Sequence, residues 1–266
     1  DSHRPYAARR WHQTAMKGTL YLVPAPLDFG CDQLSPLSDV LPQGTIEVAA
    51  RLQHWICENA KSTRAYLKRV DAITPLAAPL QAQTITELPR EVHKKGDHAA
   101  GSFDAKPLLQ AALQGHDMGL VSEAGMPAVA DPGSSVVRAA HELQIKVVPL
   151  VGPVSLLLAL AASGLNGQNF AFMGYLPIEA AARAQRIRAL EALALKTGQT
   201  QIFIEVPHRN AALHAALLAT LQPATHLGVA SGLTLGTAQV QQRSVAHWRQ
   251  SANAPNALPT VYLIGA

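Results

Sequence analysis

Short apolar runs alternate with stretches of helical period through the first half of the chain. Residues 18–24 (GTLYLVP) form a run of strand length that Pro24, Pro26 and Gly30 turn into a loop. Residues 45–52 read as a helix, 54–58 (HWICE) as a second strand and 62–69 as a short helix. Residues 81–90 read as extended, and 106–113 fit a helix ended by Gly115. Strands at 119–122 and 146–150 flank a helix at 134–143. Strand and helix in alternation predict a parallel, doubly wound α/β sheet.

The pattern changes after residue 150. Residues 154–162 make a helix that is apolar all round and is therefore expected to be buried. Strands are predicted at 169–173, 200–205, 227–230, 239–245 and 260–264, and helices at 180–195 and 210–221. Strands here follow one another more often without a helix between them, which predicts antiparallel pairs in a mixed sheet. The chain accordingly divides into a tail at 1–17, disordered or left over from upstream sequence, an N-terminal α/β domain at 18–150 and a C-terminal mixed α/β domain at 151–266.

Composition narrows the class. Of 266 residues, 48% are hydrophobic and 15% charged, the balance of a well-cored globular protein. Cys31 and Cys57 supply no disulfide framework. The longest apolar stretch, 147–162, is interrupted by Pro149, Gly152 and Pro153 and is too broken for a membrane span. With no apolar leader at the N-terminus, a cytoplasmic protein is expected. The net charge of +4 suggests nucleic acid only until it is located. Arg4, Arg9, Arg10 and Lys17 against Asp1 put +3 into residues 1–17 and leave +1 on the rest. The folded body therefore makes no strong electrostatic case for DNA or RNA.

The loops carry the candidate chemistry. Residues 122–133 (SEAGMPAVADPG) follow a strand, and in open α/β sheets ligands bind beyond the carboxyl ends of the strands. Glycine and alanine there let a ligand lie against the backbone, which suits adenine and ribose. Phosphate-binding GxGxxG and GxxxxGK[ST] patterns are absent. The alternative is a tight turn in which Asp131 caps the helix beginning near Gly133. Residues 147–155 (VVPLVGPVS) repeat the logic, as a second pocket wall or as a hinge. Residues 170–177 (FAFMGYLP) end a strand at Gly174, and 202–210 (IFIEVPHRN) place Glu205, His208 and Arg209 after another. Taken alone, the first is core and the second a surface turn as readily as a site. His93 and His98 share a lysine-rich loop without a further ligand at useful spacing, so they read as surface.

In order, GTLYLVPAP (18–26), ENAKSTR (58–64), GLVSEAGMPAVADPG (119–133), VVPLVGPVSLLLALAASGL (147–165), FAFMGYLP and FIEVPHR (203–209) run through the chain. This series resembles the class III, tetrapyrrole-methylase-like fold of S-adenosylmethionine-dependent methyltransferases. Within it, the series is similar to the family that methylates a cytidine ribose 2′-hydroxyl in small-subunit ribosomal RNA. The resemblance implies two α/β domains with S-adenosylmethionine in the cleft between them, a homodimer, an RNA substrate and no metal. It assigns cofactor contacts to Pro24, Ser122, Gly125, Met126, Pro127, Val129, Asp131, Gly152, Ser155, Met173, Gly174 and Ala230. The chain departs from the family's pattern in several places. Glu58, Asn59, Ala60 and Lys61 stand for acid–Asp–Thr–Arg, Glu123 and Met126 fall within Ser–Asp–Ala–Gly–Thr–Pro, and Leu27, Asp28 and Phe29 stand for Ile–Gly–Asn. The family's small C-terminal extension is not among these residues.

Methyl transfer to a hydroxyl needs in-line placement, exclusion of water and a group that takes the proton or steadies developing charge. Glu58 or Glu123 is the expected proton acceptor. Lys61 and Arg209 would hold phosphate or steady the oxyanion, with Arg64 and Glu205 also in the cleft. The bland reading makes Glu58, Lys61 and Arg64 a solvated helix face. Two other functions stay open: methylation of a tetrapyrrole such as a precorrin, and a cofactor-binding interaction module without turnover.

Overall fold

The computed structural model describes residues 16–251 and 257–266. Of the expected tail, only Met16 and Lys17 fall inside that range, and Lys17 Nζ donates to Leu143 O at 2.7 Å.

Strands β1 (Thr19–Val23), β2 (His54–Cys57), β3 (Thr84–Glu87), β4 (Met118–Val121) and β5 (Lys146–Pro149) form one sheet in the order β3-β2-β4-β1-β5. Every pair in it is parallel. The two-residue period of a strand sends alternate side chains to opposite faces. Val23, Cys57 and Val121 pack on one face with α1 (Leu37–Val40), α2 (Gln43–Arg51) and α3 (Ala60–Asp71). Leu20, Ile56 and Leu120 pack on the other with α4 (Arg90–Lys95), α5 (Gln110–Leu113) and α6 (Ser134–Glu142). All three of these aliphatic side chains are fully buried, each stabilising the fold by about 1.5–3 kcal/mol. Central β4 is buried along its whole length, as a parallel strand covered on both faces must be.

The second sheet holds β6 (Phe170–Tyr175), β7 (Thr200–Glu205), β8 (His226–Ser231), β9 (Gln239–Ser244) and β10 (Thr260–Gly265), in the order β6-β7-β10-β8-β9. Only β6 and β7 pair in parallel, so the sheet is mixed. One face is covered by α8 (Ala180–Thr197) and α9 (Asn210–Thr220), over stacked rings of Phe203 and Tyr262 with centroids 5.7 Å apart. On the other face Leu156 and Leu160 of α7 (Ser155–Ser163) meet Ile202, Val261 and Leu263. α10 (Val245–Trp248) follows β9.

Three local expectations are corrected. The helix at 154–162 is not buried all round: α7 leaves Leu157 49% and Leu158 41% exposed, because only one side of it meets the sheet. The stretch at 106–113 opens as a 3₁₀ turn (Lys106–Leu109) and is α-helical only from Gln110, with Pro107 in its first turn. His93 lies in α4, not in a loop.

Candidate functional site

Parallel pairing sends the loops after β1, β2, β4 and β5 out of one edge of the first sheet. The register Cys57↔Val121 sets Glu58 beside the start of the β4 loop, where Glu123 N–H donates to Glu58 Oε1 at 3.2 Å. The register Val23↔Val121 does the same for the β1 loop. There Ala25 and Gly125 exchange two N–H···O bonds of 3.0 Å.

The second sheet supplies the facing wall, with Tyr175 at the end of β6, Glu205 at the end of β7 and Thr260 and Val261 at the start of β10. A cavity of about 630 Å³ lies between the walls, inside the size range of small-molecule sites. The β1 loop lines it with Leu27, Phe29, Gly30, Cys31 and Asp32, and the β4 loop with Glu123, Gly125, Met126, Val129 and Asp131. Ser155 and Leu156 at the start of α7 join Tyr175, Ile204, Glu205, Leu258 and Val261 on the other side.

The backbone of the β4 loop is shaped at a cost. Gly125 has φ +68°, and a Cβ there would meet Leu27 Cδ2 at 3.2 Å and Pro153 O at 3.3 Å. Ala128 and Ala130 adopt φ of +66° and +62°, each unfavourable for an L-residue by about 1–2 kcal/mol. These turns present Val129 and Asp131 to the cavity. Backbone strain of this kind persists where surrounding structure over-determines it, as at ligand clamps.

Buried ionic networks hold the two loops. Asp28 is buried and accepts both Arg69 guanidinium nitrogens at 3.1 Å and Ser35 N–H at 2.9 Å. Ser35 Oγ donates to Thr234 O at 3.0 Å, tying the β1 loop to the second sheet's side of the cavity. Asp131 does not cap α6. Asp97, 2% exposed, takes that role: its carboxylate accepts from Gly133 N at 3.0 Å, Ser135 N at 3.1 Å and Ser135 Oγ at 2.5 Å.

The cavity is acidic. Glu205 is buried and pairs with Arg209, Oε1 to Nε at 3.1 Å. Burial, then the neighbouring Glu58 and Glu123, push the Asp131 carboxyl up to about 7, against a hydrogen bond from Ser122. Burial, then Glu58, raises Glu123, while His93 opposes. Burial, then Asp131, Glu205 and Glu58, raises the Tyr175 hydroxyl, while Arg209 opposes. These groups, carried by separate strand ends, share one electrostatic environment.

The structure brings Glu123, Gly125, Met126, Val129, Asp131 and Ser155 together on the cavity. Other singled-out residues sit behind that layer. A Cβ at Gly152 would collide with the Pro24 ring, and Pro24 O accepts from Tyr66 Oη at 3.3 Å. Ser122 and Pro127 are buried, with Ser122 Oγ donating to Ala124 O at 3.2 Å. Met173 packs toward the α8 and α9 core, and Gly174 precedes the lining Tyr175. Ala230 is buried as the β-partner of Val261. Glu58 precedes α3 and is half-buried, while Lys61 and Arg64 are exposed on it. Asn59 caps α3 by accepting Ser62 N–H at 2.9 Å.

Sequence reasoning assigned no contact to Tyr175, to residues 29–32 or to 258–261, all of which line the cavity. Tyr175 did carry a signal, since it follows Gly174 at a strand end. Residues 258–261 carried none, because their place depends on β10 lying between β7 and β8. Among the described residues no group of three or more His, Cys, Asp or Glu could hold a metal ion. No helix among them is long and apolar enough to cross a membrane.

Comparison with known proteins places this geometry. Residues 46–247 match the family Tetrapyrrole (Corrin/Porphyrin) Methylases. Proteins named Ribosomal RNA small subunit methyltransferase I are similar. The one from Pseudomonas aeruginosa is 32% identical over 72% of this chain and 58% of its own length. That from Escherichia coli O157:H7 is 30% identical over 84% and 68%, and that from Leptospira biflexa 30% over 90% and 86%. The chain spans about three fifths of the length of the first of these relatives. Among solved structures, the methyltransferase CobJ aligns with a TM-score of 0.54 over 93% of this chain and 94% of that one. Uroporphyrin-III-C-methyltransferase from Thermus thermophilus aligns with a TM-score of 0.50 over 94% of each. At 17% identity these two show the fold alone. Two α/β sheets with strand-end loops meeting over one cavity, and a family match over most of the chain, agree: the chain belongs to the tetrapyrrole (corrin/porphyrin) methylase family.

Proposed function

We propose that this protein is an S-adenosylmethionine-dependent methyltransferase acting on a ribose 2′-hydroxyl of small-subunit ribosomal RNA. The cavity between the two sheets carries the reading. Its small-residue β4 loop forms a cradle that a Cβ at Gly125 would disturb, and its lining is apolar with a few carboxylates. That donor set fits a nucleoside bearing a cationic sulfur. When bound, S-adenosylmethionine supplies a methyl group whose carbon–sulfur bond breaks as the acceptor oxygen bonds the carbon, leaving the electron pair on sulfur. The names of the relatives supply the acceptor class.

The chain's own residues divide the work. The β1 and β4 loops hold the donor, and Leu156, Ile204 and Val261 keep water from it. Glu123, with its carboxyl raised and Glu58 beside it, takes the hydroxyl proton. Exposed Lys61 and Arg64 meet backbone phosphate, and Arg209 is held at the cavity by Glu205. Residues 18–150 and 151–266 act as two domains around the donor. The same reading makes the protein a homodimer working in the cytoplasm, where ribosomes are.

The test supplies labelled donor together with small ribosomal subunits lacking the modification, or with a precorrin-type tetrapyrrole. Label on a ribose 2′-oxygen is the expected result. Label on the tetrapyrrole alone would replace the acceptor, and donor binding without transfer to either would leave a binding module. Gly125→Val should weaken donor binding by about tenfold or more through strained φ and lost backbone access.

A further inference from the structure

S-adenosylmethionine and S-adenosylhomocysteine, the thioether left after transfer, share nearly every atom and differ by one positive charge. An enzyme that binds both equally is inhibited by its own product. We propose that Asp131 sets this pocket's preference for the cationic donor over the neutral thioether, an inference that rests on the methyl-donor reading above.

Asp131 is placed for that role, with a hydrogen bond from Ser122 beside it. It lines the cavity, delivered there by the left-handed turns at Ala128 and Ala130. The helix that follows is capped from elsewhere, by Asp97. Among the described residues no Lys or Arg is salt-bridged to it. The groups around it come from strand ends of both sheets. Glu58 follows β2, Ser122 and Glu123 follow β4, and Tyr175, on which Glu205 at the end of β7 also acts, ends β6. The nearby cation Arg209 is tied to Glu205, and His93 of α4 acts on Glu123. A cation entering this surrounding is attracted, and a neutral ligand is not.

Charge at Asp131 then couples to occupancy. With the pocket empty its carboxyl is pushed up to about 7, so near neutrality it is often protonated. A seated cation favours the ionised form, so donor binding expels a proton. A cation within about 6 Å of a carboxylate, at an effective dielectric of about 20, is favoured by about 100-fold. Once sulfur is neutral, that attraction is gone and the carboxyl regains its proton. The ionised form is present above about pH 7 and is lost as pH falls, by up to about tenfold in donor affinity per unit.

The experiment is calorimetric titration of the full chain with each compound between about pH 6 and about pH 8, in buffers of different ionisation enthalpy. S-adenosylmethionine is expected to bind about tenfold more tightly at the upper end and to release protons at the lower, while S-adenosylhomocysteine shifts less than about threefold. Asp131→Asn should flatten the donor's profile and shrink its advantage by about 100-fold at about pH 8, with thioether binding retained as proof of folding. Asp39→Asn, at an exposed carboxylate of α1 outside the cavity lining, should leave the donor's pH profile as it is. Matching pH profiles for the two compounds in the unaltered protein overturn the inference without any variant, as does an undiminished preference in Asp131→Asn. Failure of both compounds to bind at any pH overturns the methyl-donor reading itself, and this inference with it.

Discussion

Asp28, which is buried, and Asp131, which is half-buried, show how surroundings decide what a carboxylate does. Asp28 meets a bidentate guanidinium and an N–H, and it organises a loop. Asp131 meets other acids, and its carboxyl rises to about 7 against about 3.9 in an unfolded chain. An acid raised by folding costs stability when it ionises. The cost is absent below about pH 4, grows through the interval up to about 7 and is complete above it. Asp131→Asn is therefore expected to stabilise the ligand-free protein at about pH 8 by about 1–2 kcal/mol, less than full linkage because the carboxyl keeps some water contact. At about pH 4 it should do nothing. Urea unfolding at both values checks this, and an equal effect at each would show that Asp131 is not strained by its neighbours. The sequence marked Asp131 as a residue of interest. It did not tell the two aspartates apart, since neither Arg69 nor Glu58 is near its partner in the chain.

At the scale of elements, α6 was legible and its anchor was not. Apolar spacing over 134–143 predicts the helix within a residue of Ser134–Glu142. The cap reaches in from Asp97, 36 residues upstream of Gly133, and Arg138 of the same helix donates to Asp97 O. Asp97→Ala would leave two buried N–H donors and the Ser135 hydroxyl without their acceptor. The expected loss is about 2–3 kcal/mol, from a missing cap plus unsatisfied donors. Thermal unfolding would show it. Because the β4 loop ends at this cap, donor affinity should fall with it, and a variant that lost stability alone would separate the cap from the pocket.

At the scale of the whole molecule, one apolar face lacks a cover. Phe172 pairs with Ile202, so Phe170 and Phe172 lie on the α7 side of the second sheet, at its β6 edge. They are 43% and 37% exposed, and Leu157 and Leu158 of α7, which covers that side, are 49% and 41% exposed. Exposed apolar surface of this kind marks an association site, and a second copy of the chain is the partner we propose. Sedimentation should give twice the chain mass of 28.2 kDa. Phe172→Glu with Leu157→Glu should give the single mass without loss of helix signal. A single mass for the unaltered protein would end the dimer reading.

Local pattern by itself determined the elements: two-residue and 3.6-residue periods, broken by Gly and Pro, are written in neighbouring residues. It also pointed to the β4 loop, because small residues after a strand are a local signal. Where it failed locally, as for α7, it had no means of knowing that one side of an apolar helix would lie bare. Only the tertiary structure decided which loops meet. β4 lies between β2 and β1, and β10 between β7 and β8. That order sets Glu58 beside Glu123 and brings Asp131 and Glu205 within reach of Tyr175. Strand order is a pairing between distant segments, whose cost and reward lie in the folded whole, and no single stretch of sequence records it.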